Sequence, residues 1–202
     1  MVKEGQLLWT PRPEFAQASN VTRYMDWLRT SGRNSAADYD ELWKWSVSDL
    51  EGFWGSIWDY FKVRSDTPYQ RVLDGSGMMD VQWFEGSKVN YAEHLLRHEE
   101  KAVPSETVFH HLSEFRPLQT MSWQDLGGKV RILATQLRAL GVKPGDCVVS
   151  YMPNVPETAI AMMATTSIGA VWSSAAPEFG VKTVIERFTQ IGPKVLFAAD
   201  GY

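Results

Sequence analysis

The stretch ALGVKPGDCVVSYMPNVPE, residues 139–157, decides the fold. Ala139 and Leu140 close an apolar helical pattern, and Gly141 is the residue type that takes the left-handed cap beyond a helix. Lys143-Pro144-Gly145-Asp146 reads as a turn, since proline presets one dihedral and glycine tolerates positive φ. Cys147-Val148-Val149 is a short apolar run between turn signals, as a strand buried on both faces should be. Met152-Pro153-Asn154-Val155-Pro156-Glu157 then interrupts the chain where an open sheet would expose the carboxyl end of that strand.

Outward from this strand, the second half alternates. Before it, Ser122-Trp123-Gln124-Asp125 is an N-cap pattern, and Leu126, Val130, Leu133, Ala134, Leu137 and Leu140 continue a helix of about five turns. Gly127 and Gly128 weaken that helix near its start by about 1 kcal/mol each relative to alanine. After Cys147–Tyr151 the pattern predicts a helix over Glu157–Ile168 and a strand over Ala170–Ser174. A helix over Val181–Ile191 and a strand over Lys194–Ala199 follow, with Gly169 and Gly192 at the helix ends. Such alternation means parallel strands joined by crossover helices. The sequence stops at Ala199-Asp200-Gly201-Tyr202, just as the third strand ends, so the sheet is expected to be incomplete.

The first half has a different character, with seven of the nine tryptophans before residue 100. Ser48-Asp49-Leu50-Glu51 has the form of a capping box, ahead of Leu50, Phe53, Trp54, Ile57, Trp58 and Phe61 at helical spacing. Asn20 opens another helix, with Val21, Tyr24, Met25 and Leu28 on one face, and Asp38–Val47 a third, carrying Leu42, Trp43 and Trp45. So broad an aromatic face must be covered, and these helices are expected to pack on a larger body. The tryptophans read as packing anchors first and ligand contacts second. Residues 62–83 read as an extended connection, Asn90 as the start of a helix with Glu93 three positions on, and residues 99–118 as loop plus an edge strand near Thr107–His111.

Composition narrows the function. A net charge of −4, with both signs mixed along the chain, argues against a nucleic-acid binder held by phosphate contacts. The single cysteine, Cys147, excludes an internal disulfide and fits a reducing, cytoplasmic setting, and its apolar neighbours make it a core residue. The N-terminus lacks the apolar core of a signal peptide. Thr158–Ala176 has nineteen residues without a charge, but it is rich in Thr, Ser, Ala and Gly and is split by Gly169, so no membrane span is expected.

Motifs that carry chemistry are scarce. His94 and His98 share a helical spacing, but there is no HExxH order and no evident third ligand, and His110-His111 read as a loop pair. Asp74-Gly75-Ser76-Gly77 and Gly127-Gly128-Lys129 do not lie between a strand and a helix, as a phosphate cradle must. No GxSxG and no CxxC is present. What remains is the strand ends Tyr151–Glu157 and Ser173–Gly180, where open α/β sheets bind ligands. The second of these, SSAAPEFG, would let a ligand run close to the backbone, although an ordinary strand-to-helix loop has the same look.

Taken together, Ser122–Leu126, Leu137–Asp146, Tyr151-Met152-Pro153-Asn154 and Ser167–Val171 resemble the early core of the acyl-adenylate-forming enzymes. Trp83-Phe84-x-Gly86 with Asn90 resembles the N-terminal region of their acetyl-CoA synthetase branch. Asp38–Leu42, Trp45-Ser46-Val47, Asn90–Glu93 and Trp172-Ser173-Ser174 with Pro177–Gly180 resemble its acetoacetate-activating ligases. The resemblance implies a Trp-rich helical N-terminal region, residues 1–100, packed on the first part of an open parallel-sheet AMP-binding α/β domain, residues 101–202. It further implies ATP, coenzyme A and magnesium as cofactors of a complete enzyme, a short-chain keto acid as substrate, and a C-terminal part carrying the phosphate loop and catalytic lysine. No catalytic residue is expected among these 202. Acetate-activating relatives carry Gly-Gly-Phe-Ser where this chain has Pro177-Glu178-Phe179-Gly180, and the resemblance places Pro177 and Glu178 on the coenzyme A channel.

Overall fold

The computed structural model describes residues 2–75 and 77–201, so Met1, Tyr202 and Ser76 of the Asp74–Gly77 run lie outside the described residues. The chain divides into two compact units, Met1–Lys88 and Val89–Tyr202.

The first unit contains helices α1 (Pro13–Ala18), α2 (Asn20–Thr30), α3 (Tyr39–Ser48) and α4 (Leu50–Tyr60), with the short antiparallel pair β1 (Leu73–Asp74) and β2 (Gln82–Trp83). Each of α2, α3 and α4 starts on a side chain that accepts a backbone N–H: Ser19 from Thr22, Asp38 from Glu41 and Asp49 from Gly52. The cap of α4 therefore differs from the Ser48–Glu51 box read in the sequence. The Asp49 carboxylate lies 2.9 Å from the Gly52 nitrogen, while the Ser48 hydroxyl turns back to the Trp45 carbonyl and finishes α3. Helix α1 and the β1–β2 pair carry too little periodicity to be read in advance. Tyr24, Met25, Leu28 and Leu42 are buried among Trp27, Trp45, Phe53, Ile57 and Tyr60. Trp58 faces elsewhere, stacking on Phe84 at 4.5 Å and meeting Tyr69 edge-on at 5.3 Å. Phe84 adopts φ +51°, an unusual value for a residue with a side chain, held by that stack and by its N–H on the Val72 carbonyl.

The second unit contains α5 (Tyr91–Leu96), a 3-10 turn over Arg97–Glu100, the antiparallel hairpin β3 (Thr107–His111) and β4 (Gln119–Ser122), then α6 (Trp123–Ala139), β5 (Cys147–Tyr151), α7 (Pro156–Ser167), β6 (Val171–Ala175), α8 (Val181–Ile191) and β7 (Val195–Ala198). Strand β4 goes beyond the sequence pattern, and His110-His111 lie in β3 rather than in a loop. The capping box at α6 is present, with the Ser122 hydroxyl accepting from the Asp125 N–H. Gly127 has a packing reason that composition cannot show. A methyl group there would sit 2.1 Å from Glu99 Oε2, where the carboxylate now meets Arg131.

Strands β5, β6 and β7 form a parallel sheet in the order β6-β5-β7, so β5 has neighbours on both sides. Consecutive side chains of a strand point to opposite faces. Val148 accordingly joins Leu126, Leu137, Ile160 and Ala164 of α6 and α7, while Val149 joins Val184 and Phe188 of α8, and both valines are fully buried. The chain thus steps from β5 to β6 over one face and returns past β5 to β7 over the other. Gly169 and Gly192 supply the positive φ (+75° and +55°) on which α7 and α8 end. Cys147, at the start of β5, is only half-buried, less enclosed than its apolar neighbours imply, because the first residue of the strand lies at the sheet's rim.

Candidate functional site

An open sheet binds ligands beyond the carboxyl ends of its strands, where the winding direction reverses. Beyond the ends of β5 and β7 lies a cleft of about 650 Å3. Its floor is the Met152–Val155 ledge together with Glu157, one side is Ala198–Gly201, and the other is Ser113–Arg116, the tip of the β3–β4 hairpin. Each wall has a local cause. Pro156 opens α7 at a position where its missing N–H costs nothing, and the Thr158 hydroxyl donates to the Pro153 carbonyl at 2.8 Å, fixing the ledge. The hairpin tip is closed by Ser113, whose carbonyl and hydroxyl both accept from the Arg116 N–H.

Arg116 reaches across to Glu157, its Nη1 lying 2.8 and 3.1 Å from the two carboxylate oxygens. Burial pushes the Glu157 carboxyl upward, but its own backbone N–H, the Arg116 guanidinium and His111 outweigh that and hold it below the ordinary value. Both side chains are about half exposed, so the pair orients the hairpin on α7 more than it stabilises the unit. The cleft thus offers backbone groups at strand ends, Asn154, one engaged arginine, and the carboxylates of Glu114 and Asp200. No nucleophile is paired with a base among these groups, and the arrangement suits holding a ligand.

The other strand end takes a different shape. Residues Ala176–Gly180 leave β6 as a turn in which Pro177 is half-buried and Glu178 exposed. Neither lines the 650 Å3 cleft. In the first unit a hollow of about 500 Å3 is walled by Tyr24, Trp43, Phe53, Tyr60 and Phe61, of which Tyr24 packs on Phe53 and Tyr60, and Tyr60 on Phe61; they bring no reactive pair together. His98 lies against Trp123, ring centroids 5.6 Å apart. Among the described residues no group of three or more His, Cys, Asp or Glu is placed to hold a metal ion, and no helix is long and apolar enough to cross a membrane.

Comparison with known proteins gives this geometry a lineage. Residues 96–201, more than half the chain, match the family described as AMP-binding enzyme. The chain belongs to that family. Residues 39–95 match the family described as acetyl-coenzyme A synthetase N-terminus. The acetoacetyl-coenzyme A synthetase of Rhizobium meliloti is 37% identical over 96% of this chain and 29% of its own length. The acetoacetyl-CoA synthetase of Rattus norvegicus is 36% identical over 98% of the chain and 29% of its own. The solved acetoacetyl-CoA synthetase from Streptomyces lividans superposes with a TM-score of 0.91 at 41% identity, over 98% of this chain and 30% of that one. The chain therefore spans a little under a third of the relatives it matches. Sequence reasoning reached the β5 ledge but missed the hairpin tip that lines the other side of the cleft. Its signal was the Gln119–Ser122 strand, whose four residues are too short to announce a period.

Proposed function

We propose that this chain is the N-terminal segment of an acetoacetate–CoA ligase (acetoacetyl-CoA synthetase), with residues 1–100 as the helical N-terminal region and 101–202 as the first part of the AMP-binding domain. The observation that carries the reading is the agreement of backbone and sequence with the Streptomyces lividans enzyme along nearly the whole chain. The reaction so assigned has two steps. A carboxylate oxygen of acetoacetate attacks the α-phosphorus of ATP and pyrophosphate leaves. The thiol of coenzyme A then attacks the acyl carbonyl, giving the thioester and a proton while AMP departs. Activation is needed because a carboxylate is a poor electrophile, and the first step needs fixed positive charge or donors around the phosphates.

The segment's part is to bind and shape. The ledge and hairpin form one wall of the cleft, and Pro177 and Glu178 line the coenzyme A channel. The phosphate-stabilising groups, the acid pocket and the magnesium site belong to the rest of the enzyme, and among the described residues no cluster of ligands is assembled for the metal. The setting proposed is cytoplasmic, within ketone-body and lipid metabolism.

The test is a chimera joining this chain to the downstream portion of the Streptomyces lividans enzyme, assayed by exchange of radiolabelled pyrophosphate into ATP. Acetoacetate-dependent exchange by the chimera, and none by the 202-residue chain, is the expected result. Exchange by the chain alone would overturn its role as an inactive segment. A chimera that exchanges with acetate or propionate but not acetoacetate would move the assignment to another short acid.

A further inference from the structure

The Ala176–Gly180 turn is anchored from two sides. Tyr151, the last residue of β5, directs its hydroxyl at the carbonyls of Pro177 (2.9 Å) and Phe179 (2.7 Å), so one O–H proton is shared between two acceptors two residues apart. From α8, the Arg187 guanidinium lies 4.9 Å from the centroid of the Phe179 ring. Inside the turn, the Phe179 N–H donates to the Ala176 carbonyl at 3.1 Å. The ring of Tyr151 packs beside Val149, Ala175, Val184 and Phe188, a task phenylalanine would perform equally well. The hydroxyl therefore serves the turn rather than the core. Between the anchors stands Glu178, exposed at the carboxyl end of the sheet.

We infer that Tyr151 is a positioning residue that, together with Arg187, holds the Ala176–Gly180 turn in one conformation and so sets where Pro177 and Glu178 meet a ligand. That the ligand is coenzyme A rests on the function proposed above; the anchoring does not. A preorganised turn spares the complex the entropy of ordering it on binding. The anchoring hydroxyl is thus felt in coenzyme binding and not in the adenylation step.

Two measurements test this. In the 202-residue chain, Tyr151→Phe raises amide hydrogen exchange at Phe179, whose N–H closes the turn, by about fivefold, the loss of one ordinary hydrogen bond, and leaves β5 and β6 unchanged. Arg187→Gln raises it by about two- to fivefold. Unchanged exchange in the turn overturns the inference, and so does an equal rise throughout the sheet, which would make the hydroxyl a general packing contact. In the chimera, Tyr151→Phe raises the KM for coenzyme A several-fold while acid-dependent pyrophosphate exchange stays at the unsubstituted rate. A loosened turn with an unaltered KM overturns the link to the coenzyme. An unsubstituted chimera without exchange for any acid overturns the proposed function instead, and the exchange data on the chain then decide the anchoring alone.

Discussion

In residues 89–201 the core is aliphatic and sealed: Leu126, Leu137, Val148 and Ala164 have no exposed surface. In residues 2–88 it is aromatic and leaky. Tyr24 touches Trp27, Phe53 and Tyr60 at centroid distances of 6.2, 6.4 and 5.1 Å, while Trp43 is 55% exposed and Trp54 41%. A side chain wholly removed from water leaves a cavity when shortened, whereas a ring half in water loses only part of its contact. The two units should therefore respond differently to the same kind of truncation. Leu137→Ala is expected to cost about 2–5 kcal/mol in denaturant unfolding followed by a probe within residues 89–201. Trp43→Ala is expected to cost no more than about 0.5 kcal/mol in the first unit, as exposed positions do. Equal losses would erase the contrast between a sealed core and an open one.

The same contrast governs how much could be read in advance. Cys147–Tyr151 and Val181–Ile191 have the expected bounds, and α7, β6 and β7 differ by a residue or so at their ends, because a doubly wound sheet writes its periodicity directly into aliphatic positions. The aromatic unit announced its long helices but not α1 or β1–β2, since two-residue strands have no period and ring pairing follows from tertiary geometry. Sequence reasoning placed the ledge at Met152–Glu157 correctly and could not see what faces it. Arg116 and Glu157 are 41 residues apart and meet only because the hairpin folds over α7. Gly127 makes the same point: read alone it is a weak spot in a helix, and only the fold brings Glu99 against it.

A finer difference lies within the aromatic core, where a polar pair is buried. The Tyr24 hydroxyl and Ser56 Oγ are 2.5 Å apart, and Ser56 also donates to the Phe53 carbonyl at 2.7 Å, so Tyr24 is the donor of the pair. Tyr24→Phe leaves Ser56 its carbonyl partner and should cost about 1 kcal/mol. Ser56→Ala strands the tyrosine hydroxyl and should cost more, about 1–3 kcal/mol. Burial raises the pKa of Tyr24 against the opposing effects of its hydrogen bond with Ser56 and the charge of Arg33. The unfolded chain then releases this proton first, so stability falls as pH rises above about 10. Tyr24→Phe should remove that alkaline slope. If Tyr24→Phe proved the costlier of the two substitutions, the donor assignment would be reversed.

The smallest effect expected is at the cleft, and its sign is the informative part. Because the Glu157 carboxyl is held below its ordinary 4.5, the folded unit binds fewer protons there than the unfolded chain. Its contribution is present above about pH 4.5 and is lost as pH falls through the lowered folded value. Arg116→Ala removes one of the groups that lower it, so the variant should lose a few tenths of a kcal/mol at neutral pH, as exposed ion pairs do, and converge on the parent in acid. Glu157→Gln should abolish the difference in slope between the two. Added salt should shrink the neutral-pH gap, since charges this exposed are screened. A gap that persisted in strong salt would mean that Arg116 acts by packing the hairpin tip against α7, and the wall of the cleft would then be a matter of shape and not of charge.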